Sequence, residues 1–257
     1  MKQYLHTQQS QSWTKEIPSD FLEINPAVFE TFRTYDGAIH WLDQHLQRLL
    51  SSAEVMDIDS DVLDLETLAR QIKQIRDINF ENQDLRIRVL LNETGYSITS
   101  FVLEDWPESF YRDGIDIADA VFERPNPTAK YTTPIYQEFV EHAESIGAQE
   151  IIFFDHDGNL REGNRTNVFA VFGDALVTPK INILKGVMRN HVIQLCQQLG
   201  LEVIEIGLTE EVLAQADEII LTNALKGIIP VKSWDTWERS TNKCYNKLKK
   251  KFDNMYK

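Results

Sequence analysis

Between Val28 and Tyr35 the chain reads VFETFRTY, with the apolar and β-branched residues of a strand. Asp36-Gly37 interrupts it as a turn, and Ala38 to Trp41 predicts a short return strand. From about Asp43 to Met56 the period changes to that of a helix. Trp41, Leu42, His45, Leu46, Leu49 and Ala53 fall on one apolar stripe. Arg48 lies at the edge of that stripe, where an arginine either snorkels to water or reaches for an anion. A second helix is predicted over Asp64 to Asn79. LRIRVLLNETGYSITSFVLED then reads as a hairpin turning around Asn92 to Gly95. Strand alternation puts Arg86, Arg88 and Leu90 on one of its faces and Leu85, Ile87 and Val89 on the other.

A strand over Asp116 to Phe122 runs into ERPNPT, whose Pro125 and Pro127 mark a linker. The second half opens with a helix, about Pro134 to Ile146, ended by Gly147. EIIFFD is a buried-type strand and Asp157-Gly158 a turn. Val168–Phe172 and Ala175–Thr178 form a hairpin across Gly173-Asp174. A helix from about Val187 to Leu199, ended by Gly200, leads to the strand LEVIEI. Thr209 N-caps a short helix to Ala216. EIILTNALKGIIPV gives two strands with Thr222-Asn223 between them, and the tail around Lys247 to Lys251 reads as a basic surface helix. Strands outnumber helices, hairpins recur and the βαβ rhythm is weak. The expected class is α+β with mixed and antiparallel sheets and flanking helices. The expected domains are an N-terminal α/β domain over 1–123, a linker over 124–129 and a C-terminal domain over 130–257.

The chain has 257 residues and a formal net charge of −14. That excess of acid argues against nucleic-acid and anionic-membrane surfaces, and an anionic small molecule would need a local basic site. Cys196 and Cys244 have no metal-ligand spacing, so no structural zinc is expected. The N-terminal stretch MKQYLHTQQSQSW lacks the apolar core of a signal peptide, and no apolar run could span a bilayer. A soluble, cytoplasmic protein is expected.

GxGxxG, GxxxxGK[ST], GxSxG and HExxH are all missing from the sequence, and the six histidines do not cluster. What stands out is a set of polar residues at the ends of apolar elements. Lys130 follows the linker, Glu162 opens LREGNRTN, and Gly186 opens a helix whose free N–H groups favour a phosphate. Thr222-Asn223 ends a buried strand and Arg48 edges a helix. Taken singly, each reads as a turn, cap or surface residue. Together, a lysine, a carboxylate, an arginine and a helix N-terminus are the parts a pyridoxal phosphate site needs.

The order and wording of these segments resemble the class IV aminotransferases, the fold type IV pyridoxal phosphate enzymes. The strongest part is LREGNRTNVFAVFGDALVTPKINILKGVMRN through TNALKGIIPV, and FETFRTYDG with HLQRL is similar to the family's N-terminal signature. The resemblance implies a two-domain fold and a homodimer. It implies that Lys130 forms the Schiff base and that Glu162 pairs with the pyridine nitrogen. Arg48 and the backbone N–H groups of Val187 and Met188 would hold the phosphate. Thr222 and Asn223 would line the phosphate or substrate-carboxylate side, and Asn167 would belong to the motif that shapes the cofactor site. Lys185, in a variable position of the motif, is the rival lysine. Two departures from the family wording stand out. Tyr131-Thr132-Thr133-Pro134 follows the lysine where relatives carry an Asn, and Asn25-Pro26-Ala27 replaces a G-D-G-like turn.

TNALKGIIPV with GVMR is closer to the T-N-[SA]-L wording of 4-amino-4-deoxychorismate lyases than to the T-G-T-A of branched-chain aminotransferases. No R-x-H pair placed like that of D-amino-acid aminotransferases is found, Arg189-Asn190-His191 lying within the predicted helix. The expected reaction is therefore β-elimination giving 4-aminobenzoate and pyruvate, with amino-acid transamination as the alternative and a non-catalytic scaffold as a third reading. Arg33 and Arg88 are the candidates for carboxylates of an anionic, amino-acid-like substrate, with structural ion pairing as the competing role for each.

Overall fold

The computed structural model describes residues 1–7 and 11–256. The chain folds as two compact units. One holds 1–104 and 128–132, the other 105–127 and 133–257.

The first unit runs β1 (Gln3–Thr7), β2 (Gln11–Thr14), α1 (Ser19–Leu22), β3 (Val28–Tyr35), β4 (Ala38–Ile39), α2 (Leu42–Val55), α3 (Leu65–Asn79), β5 (Leu85–Asn92) and β6 (Gly95–Val102). Among the described residues its sheet has the order β2-β1-β6-β5-β3-β4, antiparallel at every pairing. Alternation decides which face is covered. Phe32, Ile87, Val89, Leu91, Tyr96 and Ile98 point into one core with Leu46 and Leu49 of α2 and Leu68, Ile72 and Ile75 of α3. Phe29, Thr31 and Arg33 therefore stand on the other face, with Leu90, Arg88 and Arg86 directly opposite them across the β3–β5 register. Asp36 and Gly37 both have positive φ, 49° and 76°, as a tight two-residue hairpin turn requires. The return strand is shorter than expected, because Trp41 takes a left-handed conformation (φ 56°) at the start of α2. Asp64 caps α3 by accepting from the Thr67 amide, 3.1 Å away.

The second unit runs α4 (Glu108–Arg112), β7 (Ile115–Val121), α5 (Ile135–Ser145), β8 (Glu150–Phe154), β9 (Leu160–Gly163), β10 (Asn167–Phe172), β11 (Ala175–Thr178), α6 (Val187–Gln198), β12 (Glu202–Glu205), α7 (Glu210–Leu213), β13 (Glu218–Asn223), β14 (Gly227–Trp234), β15 (Trp237–Glu238) and α8 (Lys243–Tyr256). Its sheet, order β12-β11-β10-β13-β14-β7-β8-β9 with β15 on β14, is mixed. The β7–β8, β14–β7 and β11–β12 pairs are parallel and the rest antiparallel.

The expected first domain reached to residue 123. Here β7 is hydrogen-bonded between β14 and β8, so α4 and β7 lie in the second unit, and Lys130 lies in the first. The chain returns there because Tyr131 bridges Val28, Phe29 N–H donates to Lys130 O at 3.0 Å, and Thr132 N–H donates to Ala27 O at 2.8 Å. The tail is more than a solvated basic face. Its lysines accompany a buried stripe of Cys244, Tyr245, Leu248 and Phe252, and Glu218 of β13 accepts the Cys244 and Tyr245 amides at 2.8 and 2.9 Å. Among the described residues, no helix is long and apolar enough to cross a membrane and no side-chain cluster could hold a metal ion.

Candidate active site

In the first unit the chemistry gathers around β3, α2 and the returning strand. Lys130 is half-buried. Its amide donates to Ser52 Oγ at 3.0 Å, and its ammonium sits 4.8 Å from the centre of the Phe29 ring. Ser52 in turn donates to the Arg48 carbonyl at 2.8 Å. Arg48 does not snorkel to water. Its Nε and Nη2 grip Glu30 Oε1 and Oε2 at 2.6 and 2.8 Å, and His45 Nδ1 lies 2.7 Å from Oε2. Glu30 is fully buried. Burial alone would push its carboxyl up, but the Arg48 charge and the hydrogen bonds from Arg48 and His45 outweigh it and hold the pKa at about 2. His45 is lowered from its ordinary value, first by burial, with Glu30 opposing the shift.

The two candidate substrate arginines differ. Arg33 is buried and tied into the fold. It donates to Asp84 Oδ2 at 2.8 Å and to the Thr34 carbonyl at 3.0 Å, and its guanidinium covers the Tyr35 ring. The guanidinium of Arg88 lies 4.1 Å from the centre of the same Phe29 ring that Lys130 faces. Burial, and then the neighbouring charge of Arg86, lower the Arg88 pKa to about 10. A half-buried cation of that kind favours an anionic visitor.

In the second unit Glu162 lies on β9, inward of a hollow lined by Phe122, Arg124, Pro127, Phe153 and Asn182. The arginines beside it in sequence have other partners: Arg161, which also lines the hollow, pairs with Asp155, and Arg165 with Glu150. The partner of Glu162 is Arg124, whose Nη1 donates to Oε1 at 2.6 Å. The Leu184 amide donates to Oε2 at 3.0 Å and Asn167 Nδ2 at 3.4 Å. Arg124, the Leu184 amide and Asn167 Nδ2 all donate to this carboxylate, which favours its charged form and fixes its orientation.

Asn167 links this carboxylate to the start of α6. Its Nδ2 also donates to Leu184 O at 2.8 Å, and a Cβ at Gly186 would stand 2.0 Å from its Oδ1. Gly186 is the α6 N-cap without any side-chain cap, the first turn has no acidic residue, and Val187 and Met188 open the helix. Those amide groups suit a phosphate. Asn167 pairs with Thr222 across β10–β13, and the buried Thr222 hydroxyl has no hydrogen-bond partner. The Asn223 side chain is committed to its own turn and to Arg165. Its Oδ1 accepts from the Leu225 and Lys226 amides at 2.8 and 3.2 Å, and its Nδ2 donates to Arg165 O at 2.7 Å. Lys185 is exposed beside Lys180 and Glu205.

A family model for amino-transferase class IV matches residues 27–234. The chain belongs to the class IV aminotransferase family. Its members use pyridoxal 5′-phosphate, and it is a pyridoxal phosphate-dependent enzyme. The D-alanine aminotransferase of Bacillus licheniformis is 29% identical over 230 residues, 83% of this chain and 80% of its own. The branched-chain-amino-acid aminotransferase of Escherichia coli K12 is 28% identical over 256 residues, 89% of this chain and 82% of its own. The E. coli branched-chain enzyme's crystal structure superimposes with a TM-score of 0.82 at 25% identity, covering 91% of this chain and 87% of that one. The fold also matches a Legionella pneumophila protein carrying the provisional name 4-amino-4-deoxychorismate lyase, with a TM-score of 0.75 and 24% identity over 89% and 90% of the two chains. A buried carboxylate paired with an arginine, an unpaired buried hydroxyl and an uncapped helix start fit what a class IV cofactor requires.

Sequence reasoning missed Arg124, Glu30 and His45. Arg124 stood in ERPNPT, read only as a linker, and its signal was a single charge among prolines. The crowding at Gly186 gives a direct test of how tightly this region is packed. Gly186→Ala should cost about 1–3 kcal/mol, read as a lower denaturation midpoint, with weaker cofactor retention because Asn167 is displaced. An unchanged midpoint would show that the crowding is relieved elsewhere.

Proposed function

We propose that this enzyme is a lyase of the 4-amino-4-deoxychorismate type, releasing pyruvate from an anionic amino acid without a keto-acid acceptor. The observation that carries this reading is the turn Thr222-Asn223-Ala224-Leu225. Asn223 occupies the Leu225 and Lys226 amides with its own side chain, which a glycine in the T-G-T-A wording could not do.

Pyridoxal phosphate, when bound, supplies the electron sink that makes the substrate's α-proton acidic. The residues of this chain supply the rest. Arg48, Thr222 and the Val187 and Met188 amides would be the phosphate's ligands. Glu162, oriented by Arg124, would pair with the ring nitrogen and keep it protonated. Lys130 would anchor the cofactor covalently and, when free, would take the α-proton at Nζ. Arg88 takes a substrate carboxylate, while Arg33 holds its strand to Asp84.

The second reading is amino-group transfer, favoured by the 28–29% identity to the branched-chain and D-alanine aminotransferases. Two assays separate them. The purified enzyme is given aminodeoxychorismate alone and, separately, branched-chain or D-amino acids with 2-oxoglutarate. Pyruvate from the first without an acceptor is the expected result. Glutamate formed in the second, without pyruvate in the first, overturns the lyase reading in favour of transamination.

A further inference from the structure

We propose that Glu30, braced by His45, is a positioning residue that aims the Arg48 guanidinium at the cofactor phosphate. The proposal rests on the reading above that Arg48 binds that phosphate.

Three side chains from two elements of one unit carry it. Glu30 comes from β3, and His45 and Arg48 come from neighbouring turns of α2. Glu30 is completely buried and His45 nearly so. The carboxylate takes the Nε and Nη2 of Arg48 at 2.6 and 2.8 Å, a fork-on-fork geometry that fixes the guanidinium plane. His45, 2.7 Å from Oε2 and packed against the Phe32 ring at 5.0 Å, keeps the carboxylate from rotating. One turn further along α2, Ser52 receives the Lys130 amide. A single helix edge thus holds both the arginine and the backbone of the lysine.

A buried ion pair is a poor source of stability, since an apolar pair of like volume does as well or better. Orientation explains what this one does. An untethered arginine populates many rotamers and must be ordered when an anion binds, whereas a clamped fork has already lost that freedom. Glu30 also places a negative charge near the phosphate, which opposes binding. The proposal is that orientation outweighs this repulsion.

The test uses apoprotein of full length and two probes that share ring and aldehyde, pyridoxal phosphate and pyridoxal. Dissociation constants are measured for wild type, Arg48→Ala and Glu30→Gln, with the thermal midpoint of each apoprotein. Arg48→Ala should remove much of the preference for the phosphorylated probe. Glu30→Gln should weaken pyridoxal phosphate roughly tenfold while pyridoxal changes less than about twofold. A merely structural role would weaken both probes alike. Equal weakening, no weakening, or tighter pyridoxal phosphate binding in Glu30→Gln overturns the proposal. If Arg48→Ala leaves the preference intact, the phosphate assignment of Arg48 itself fails, and the proposal with it. If only Glu30→Gln leaves it intact, the proposal alone fails. Should Glu30→Gln not fold, Glu30→Asp keeps the charge but is too short for both nitrogens. It is expected to show the same loss of preference, and an unchanged preference there overturns the proposal.

Discussion

Lys130→Ala protein is expected to bind pyridoxal phosphate without holding it covalently. Borohydride treatment should leave no cofactor on the chain, the visible band of the lysine adduct should be gone, and turnover should fall at least about a thousandfold. That loss corresponds to about 4 kcal/mol of barrier. The expectation has a structural side. The Lys130 backbone is pinned by Ser52 on its amide and by Phe29 on its carbonyl, so removing the side chain leaves the strand in place. The thermal midpoint of the apoprotein should therefore change little. A reducible adduct that persists in Lys130→Ala would move the assignment to Lys185. That outcome would be hard to reconcile with the exposed setting of Lys185 beside Lys180 and Glu205.

Glu162→Gln is expected to do the second largest damage, and in two ways. The amide cannot keep a ring nitrogen protonated as a carboxylate does, so turnover should fall by about a hundredfold to a thousandfold while the cofactor still binds. The replacement also takes a carboxylate from Arg124, whose side chain is only 9% exposed. Leaving a charge without its counter-ion is a stability cost as well as a chemical one. The apoprotein should thus melt at a lower temperature than wild type, in contrast to Lys130→Ala. Near-normal turnover would remove Glu162 from the ring-nitrogen role, and an unchanged midpoint would mean that Arg124 is satisfied without it.

The sequence was informative where one local rule decided the outcome. The paired periods of β3 and α2, the Asp36-Gly37 turn, the Thr209 cap and the β10–β11 hairpin follow from residues within a few positions of one another. The sorting of Arg86 and Arg88 away from Leu85 and Ile87 follows from strand geometry alone. Long-range partnerships were not legible. Glu162 sits between two arginines in sequence, yet its ion-pair partner is Arg124, 38 residues earlier. Glu30 has no local signal within VFETFRTY to mark it. Only the packing of α2 on β3 shows that it faces inward against Arg48 and His45. Asn223, grouped with Thr222 by wording, proved to bond its own turn, leaving Thr222 as the residue with an unpaired buried hydroxyl. The opening strand pair β1 and β2 has little sequence signal because its strands are short and largely exposed or polar. In the tail helix the lysines dominate the sequence, and the apolar stripe between them is recognised only from its packing.

The return of residues 128–132 to the first unit has a consequence for how such a protein can be taken apart or inherited. No single break in the gene separates the two units. A fragment ending at Glu104 would lack the Val28–Tyr131 bridge and the lysine. A fragment beginning at Asp105 would carry Lys130, Tyr131 and Thr132, whose partners Phe29, Ser52, Val28 and Ala27 lie on the missing piece. Neither half can be shuffled as a linear cassette, so exchange between relatives is expected to preserve the two halves as one inherited block.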